Sequence, residues 1–336
     1  MFMENAEISI SPQYAIPGGE VLIKCEGFSF SYGDDYGAYF DGIQARLIGV
    51  SSKKVMAIVP ETLITGEIEV YLESKEYRSK PAKMVVGERL ADQLHMVANP
   101  AVDPIDNSII LTRSGTRGEK LPVTLFRLNR DRVLEEMPID VMNPTGLAFN
   151  REGDLFITNR ASGEVVKVER NGNYYTFSSN LGIATGIAFN SKGELFVGDR
   201  SGTIYRLSED GDAEIFTNLE PSVAAYHLAF DKEDNLFVTA PSLSSFDAIW
   251  KVDKKGFVEV FYRGLGRPQG LAFDSHGNLY VAACLRGHRG IVRIPSDGGE
   301  AELAIAGANI VGLCFADENE MIIATIDKVY TLKHDF

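Results

Sequence analysis

PTGLAFNREGDLFIT, running from Pro144 to Thr158, decides the fold, because the chain repeats it. ATGIAFNSKGELFVG starts at Ala184, AYHLAFDKEDNLFVT at Ala225, PQGLAFDSHGNLYVA at Pro268 and IVGLCFADENEMIIA at Ile310. The residue before the Gly-Leu-Ala-Phe element is Thr145, Thr185, Tyr226, Gln269 and Val311, giving steps of 40, 41, 43 and 42. A period of roughly 40–45 residues with several short strands per copy is the signature of propeller blades. A second alternating segment follows each copy: TLFRL (124–128), EVVKV (164–168), TIYRL (203–207), AIWKV (248–252), GIVRI (290–294) and KVYTL (328–332). The extra member at 124–128 exposes a degenerate first copy, with strands at 100–103 and 108–112, whose first strand lacks the recurring Phe.

Each copy reads as strand, turn, strand, loop, strand, turn, strand, labelled a to d from the inside. Gly or Asn in the a–b turns (Gly153, Gly193, Gly277) suits tight hairpins. The recurring Phe149, Phe189, Phe230, Phe273 and Phe315 read as packing between blades. The expectation is an all-β chain with a six-bladed β-propeller over 88–336. Glu88–Met96 is expected to close the ring as the outer strand of the last blade, since a ring must leave no open sheet edge.

Residues 1–87 lack the repeat. They carry ISISP (8–12), a Gly18-Gly19 turn, VLIKCEGF (21–28), GAYFDG (37–42), KVMAIVP (54–60), GEIEVYL (66–72) and MVV (84–86). Short β-rich runs separated by turns indicate a small β-sandwich. Their order, I-x-P then Gly-Gly, V-x-I-x-C-x-G-F, A-x-I-V-P and G-x-I-x-V, resembles the IPT/TIG family of immunoglobulin-like domains, which implies a spacer or interaction module.

The blade pattern G-L-A-F-x-x-x-G-x-L-F-V resembles the NHL-repeat and senescence-marker/gluconolactonase group of propellers. That resemblance implies the fold; propellers host unrelated activities. In the gluconolactonase-like members a divalent metal, held by carboxylates and amides just before the Gly of strand a, hydrolyses lactones. The matching positions here are taken as Asn99, Thr145, Thr185, Tyr226, Gln269 and Val311, and none is a carboxylate. A calcium site needs several oxygens, some of them carboxylate. Asn99, Asp199 and Gln269 are the weak candidates, and no metal or other cofactor is favoured.

Composition narrows the function further. The chain has 336 residues, 33 basic and 47 acidic side chains, and a net charge of −14, which argues against a general nucleic-acid binder. No apolar run reaches the roughly 18 residues of a membrane span. Cys25, Cys284 and Cys314 show neither metal spacing nor a disulfide framework and read as buried small apolar groups. With no secretory signal in MFMENAEISISP, a reducing cytoplasm is expected, or secretion if the N-terminus was trimmed. There is no Gly-x-Ser-x-Gly elbow, HExxH, P-loop or dinucleotide fingerprint.

Copies one, four and five carry long b–c loops, 113–123, 240–248 and 283–290, on the face where propellers place their sites. The loops of that face hold Arg113, Arg117, Lys120, Arg160, Arg200, Arg267, Arg286, Arg289 and His288, while the opposite turns are acidic. Either these arginines pair with neighbouring carboxylates, or they grip an anionic ligand by bidentate contacts. Asn159 and Asp199 end strand b and either brace the blade or line a polar pocket with Thr145, Thr185 and Gln269. His227 sits where the other copies have Gly, as a tolerated substitution or as a channel donor beside Tyr226. The expected function is a scaffold whose top face holds a small anionic molecule or a protein partner. A gluconolactonase-like hydrolase and a purely structural module are the alternatives.

Overall fold

The computed structural model describes residues 7–25, 36–51, 53–62, 65–75, 78–115 and 119–335. Arg117 and the end of the VLIKCEGF run lie outside them. All regular structure among the described residues is β. No helix is long and apolar enough to cross a membrane.

The chain is a β-propeller preceded by a smaller β unit. Repeat two shows the pattern: Pro144–Phe149, Leu155–Asn159, Glu164–Val168 and Tyr174–Ser178 form an antiparallel meander. Repeats one, three, four and five place four strands in the same order, starting at Ala101, Ala184, His227 and Leu271. In repeat six, three strands (Ile310–Asp317, Glu320–Thr325, Val329–Lys333) are completed by Glu88–Ala91, which pairs antiparallel with Val329–Lys333. That strand stops at Ala91. Leu94 and Met96 then donate their N–H groups to Asp327 O (3.1 Å) and Ile326 O (2.9 Å), so residues expected in the strand instead pass over the end of repeat six.

The repeat's side chains have specific duties. In repeats two to five the Asn or Asp after the Phe turns its carboxamide or carboxylate back on the a–b turn. Asp274 Oδ1 accepts from His276 N (2.9 Å) and Asn278 N (2.8 Å), and Asn190 and Asp231 act alike. Gly153, Gly193 and Gly277 supply the left-handed residue, and Asp234 takes it in repeat four. The aromatic ring of strand b stands edge-on to the Phe of the next repeat: Phe156 to Phe189 at 5.1 Å, Phe196 to Phe230 at 5.0 Å, Phe237 to Phe273 at 4.9 Å. Such contacts stabilise beyond their buried area.

Repeat one departs from the pattern by one residue. Asp103 takes the turn-capping place, with Oδ1 accepting from Ile105 N (2.9 Å), and its buried carboxylate is held by Arg127 and Arg170, both at 3.2 Å. The offset moves Asn99 as well. A Cβ on each strand-a Gly would meet the carbonyl oxygen of the residue before the next repeat's Gly: Thr185 for Gly146, Tyr226 for Gly186, Val311 for Gly270 and Ala98 for Gly312. Ala98 is therefore the counterpart of Thr145 and Thr185, and Asn99 holds the glycine place, as His227 does in repeat four.

The front unit has two sheets around one core. Ile8–Ser11, Glu20–Cys25, Lys54–Ile58 and Arg46–Ser51 form one; Ala82–Val86, Gly66–Ser74, Tyr36–Phe40 and Ile43–Gln44 form the other. Val21, Ile23, Phe40, Val55, Ile68 and Leu72 fill the space between them. The second sheet continues into the propeller. Tyr14–Ala15 lies parallel to Ala82–Val86 on one side and to Glu302–Ala306 of repeat five on the other. The cores interlock there: Ala306 packs in the front core, and Ile16 packs in the core of repeats five and six. Gly19 permits this approach, since a Cβ would stand 2.5 Å from Ala306 O.

Candidate functional site

The d–a connections and b–c loops meet around a cavity of about 700 Å³. Arg160 and Arg200 follow strand b of repeats two and three; Arg267 leads out of repeat four and Arg289 belongs to the long hairpin of repeat five. Among the described residues, no aspartate or glutamate lines the cavity. Met96, Val97, Ile310, Val311 and Ile326 form the wall on the side of repeats six and one, and Val223–Ala225 with Ser244 and Ser245 the wall at repeat four.

Arg160 and Arg200 lie close enough for their charges to repel. Arg200 Nε donates to Ser222 O (3.2 Å). Partial burial, together with the positive charge of Arg200, pushes the pKa of Arg160 down. No ion pair neutralises Arg160, Arg200, Arg267 or Arg289 among the described residues. An anion entering between Arg160 and Arg200 removes the repulsion between like charges and meets donors already partly desolvated.

Of the residues singled out from sequence, Arg160, Thr185, Arg200, Arg267, Gln269, Arg289 and Val311 line this cavity. Thr185 spends its hydroxyl on the scaffold, accepting from Tyr226 N (3.0 Å). The rest are committed elsewhere. Asn99 staples the inner ring, its Nδ2 donating to Leu271 O (2.9 Å) and its Oδ1 accepting from Leu313 N (3.1 Å), so one side chain joins repeats one, five and six. Thr145 is fully buried. Asn159 Oδ1 accepts from Ala161 N (3.1 Å) and braces its b–c loop, while Asp199 accepts from Ile183 N (2.8 Å) and Ser201 N (3.1 Å) and ties a d–a connection to a b–c loop. Arg113 donates to Gln93 O (2.9 Å) and lies over the Phe126 ring.

Tyr226 is fully buried, and its hydroxyl donates to Glu220 O. His227 is buried in its glycine place; burial pulls its pKa down to about 4, so it is a neutral group, and its Nε2 has no hydrogen-bond partner. Arg286, at the tip of the repeat-five hairpin, points away and pairs with Glu300 at 2.8 Å. His288 lies opposite Leu285 in that hairpin, outside the cavity.

Sequence reasoning missed His95, Val97, Val223, Asn309 and Ile326, which come from ordinary-looking d–a connections and a short turn. Ser244, Ser245 and Cys284 lay inside loops marked by their length, but Cys284 was read as core. It is half-buried in the cavity wall, whereas Cys25 is buried and burial pushes the Cys314 thiol up to about 12.

The residues at the mouth do not fit a calcium-like ion. Of the weak candidates, Asn99 and Asp199 are spent on backbone donors and Gln269 offers a single neutral side-chain oxygen. No group of three His, Cys, Asp or Glu side chains converges anywhere among the described residues. A hard cation needs an oxygen-rich, negatively charged shell, and this one is basic.

Comparison with known proteins gives the fold. No family model matches the sequence, and no curated protein matches it. Solved structures do. An auxiliary nutrient binding protein from Bacteroides ovatus is 11% identical over 100% of both chains, with a TM-score of 0.57. The gluconolactonase XC5397 of Xanthomonas campestris is 15% identical over 73% of this chain and 88% of its own, with a TM-score of 0.57. The virginiamycin B lyase of Staphylococcus aureus is 14% identical over 74% of this chain and 98% of its own, with a TM-score of 0.56. At these identities the likeness carries architecture, not chemistry.

Proposed function

We propose that this protein is a binding scaffold whose cavity holds a small anionic ligand. The observation that carries the reading is the set of Arg160, Arg200, Arg267 and Arg289 around one cavity that no carboxylate among the described residues lines, in a chain of net charge −14. Arginines placed for pairing with their own protein would have acidic neighbours; these await an acid from outside. The nutrient-binding protein of the same fold supports the same reading. Residues 88–336 are the blades of a closed six-bladed ring, sealed by Glu88–Ala91, and residues 1–87 are an immunoglobulin-like module of the IPT/TIG kind that positions it. No cofactor is part of this reading. A lactone hydrolase of the metal-dependent type would need carboxylates where this mouth has arginines.

Isothermal titration with inorganic phosphate, citrate and gluconate tests the proposal. Binding of at least one of these anions is expected. The Arg160→Gln/Arg200→Gln double variant should weaken it by about tenfold or more, as loss of charge-assisted hydrogen bonds implies. Equal affinity in the double variant, or no binding of any anion, rejects the reading.

A further inference from the structure

The cavity is not uniform around its rim. Its arginines all come from repeats two to five. The remaining arc, from repeats six and one, is apolar: Met96, Val97, Ile310, Val311 and Ile326. The polar groups in that arc are His95, whose Nδ1 is hydrogen-bonded to Ser114 O (2.5 Å), and Asn309. Ile326 keeps 43% of its surface exposed, and Val223, at the edge of the basic arc, also 43%. Their positions are fixed by the backbone. Ile326 N donates to Asn309 O (3.1 Å), Ile326 O accepts from Met96 N (2.9 Å), and Val223 N donates to Pro241 O (3.0 Å).

Scattered exposed apolar side chains on a convex surface need no explanation, but here they line one wall of a concave, preformed pocket. Water in such a pocket finds charged partners on the arginine side and few partners on the other. A ligand with acid groups alone would leave that wall wet; one with an apolar body would dry it and gain affinity in proportion to the area covered.

We propose that the ligand of this cavity is an amphipathic organic anion: an acid group held by Arg160 and Arg200, and an aliphatic or aromatic body lying against Val97, Ile310 and Ile326. The inference rests on the anion-binding reading above and adds the second half of the ligand.

The test uses the full chain and three probes, butyrate, octanoate and 1-octanol, titrated calorimetrically. Protection of Cys284 from N-ethylmaleimide, read by mass spectrometry of that peptide, serves as an independent site-specific measure. Octanoate should bind at least about tenfold more tightly than butyrate and protect Cys284, while 1-octanol, lacking the acid, should do neither. Ile326→Ser, a change at a half-exposed position that the core does not need, should cut the octanoate advantage several-fold. Arg160→Gln/Arg200→Gln should weaken both carboxylates together. If butyrate and octanoate bind equally, or Ile326→Ser leaves the advantage intact, the amphipathic inference is overturned while anion binding stands. If no carboxylate binds, both fall.

Discussion

Residue by residue, repeats two to five share one backbone plan and differ where neighbours had to adjust. Gly198 stands in strand b where repeats two and four have Thr158 and Thr239. Those threonines donate to the next repeat's inner strand, Thr158 to Thr185 O (2.9 Å) and Thr239 to Gln269 O (2.6 Å). Repeat three cannot use one, because the bulky Tyr226 fills the space: a Cβ on Gly198 would stand 3.1 Å from Tyr226 Cβ. Gly198→Thr, which restores the repeat's consensus, should therefore destabilise by about 1–3 kcal/mol, visible as a lower Tm. His227 supplies a second test. Its folded pKa, pulled to about 4 by burial, lies below its unfolded value of 6.5, so the unfolded chain takes up the proton first. Stability contributed by the neutral ring is complete above that unfolded value and is lost as pH falls from about 6.5 to about 4, by up to about 3 kcal/mol. Denaturant midpoints across that window should be flatter in His227→Gln; a parallel slope would show that other groups dominate.

At the scale of elements, the hairpins are set by turn chemistry. Removing the acceptor of two backbone N–H groups in Asp274→Ala should cost about 1–2 kcal/mol. Glu300→Ala, which breaks an ion pair exposed on both sides, should leave the Tm essentially unchanged and leave anion binding untouched, since Arg286 lies outside the cavity. The strands were legible because their patterns are local: alternation, a Phe in strand a, Gly or Asn in the turn. Loop lengths likewise marked Ser244, Ser245, Cys284 and Arg289. What stayed hidden depended on contacts between distant repeats. The offset that puts Asn99 in a glycine place shows only when Gly312 meets Ala98. Asp199 and Asn159 looked like pocket residues because a carboxylate or amide at a strand end serves loop bracing and ligand binding equally well, and only the hydrogen bonds tell them apart. Ile326 and Val97 gave no signal at all, since an apolar residue beside a strand is unremarked until the cavity is seen.

At the scale of the whole molecule, charge and connectivity matter most. The long-range field of a chain at −14 repels anions, so any preference for them at the cavity must come from its own arginines. Alkylation of Cys284 reads that local field directly. Iodoacetate should react faster relative to neutral iodoacetamide than it does with a free thiol, and the ratio should drop in Arg267→Gln/Arg289→Gln; an unchanged ratio would deny the cavity its charge preference. Connectivity ties the two units through Tyr14–Ala15 and the exchange of Ile16 and Ala306 between cores. Calorimetry should show one unfolding transition, and Gly19→Ala, by forcing the strands apart at Ala306 O, should lower it or split it in two.

The pairing of Glu88–Ala91 with Val329–Lys333 also imposes a schedule on synthesis. The closing strand leaves the ribosome early and waits for a partner roughly 240 residues further along. During that interval strand Glu88–Ala91 is an unsatisfied edge, short and carrying Glu88 and Arg89, a composition that discourages pairing with strangers. A chain lacking Val329–Lys333 would hold five repeats in sequence and still leave Glu88–Ala91 without its partner strand.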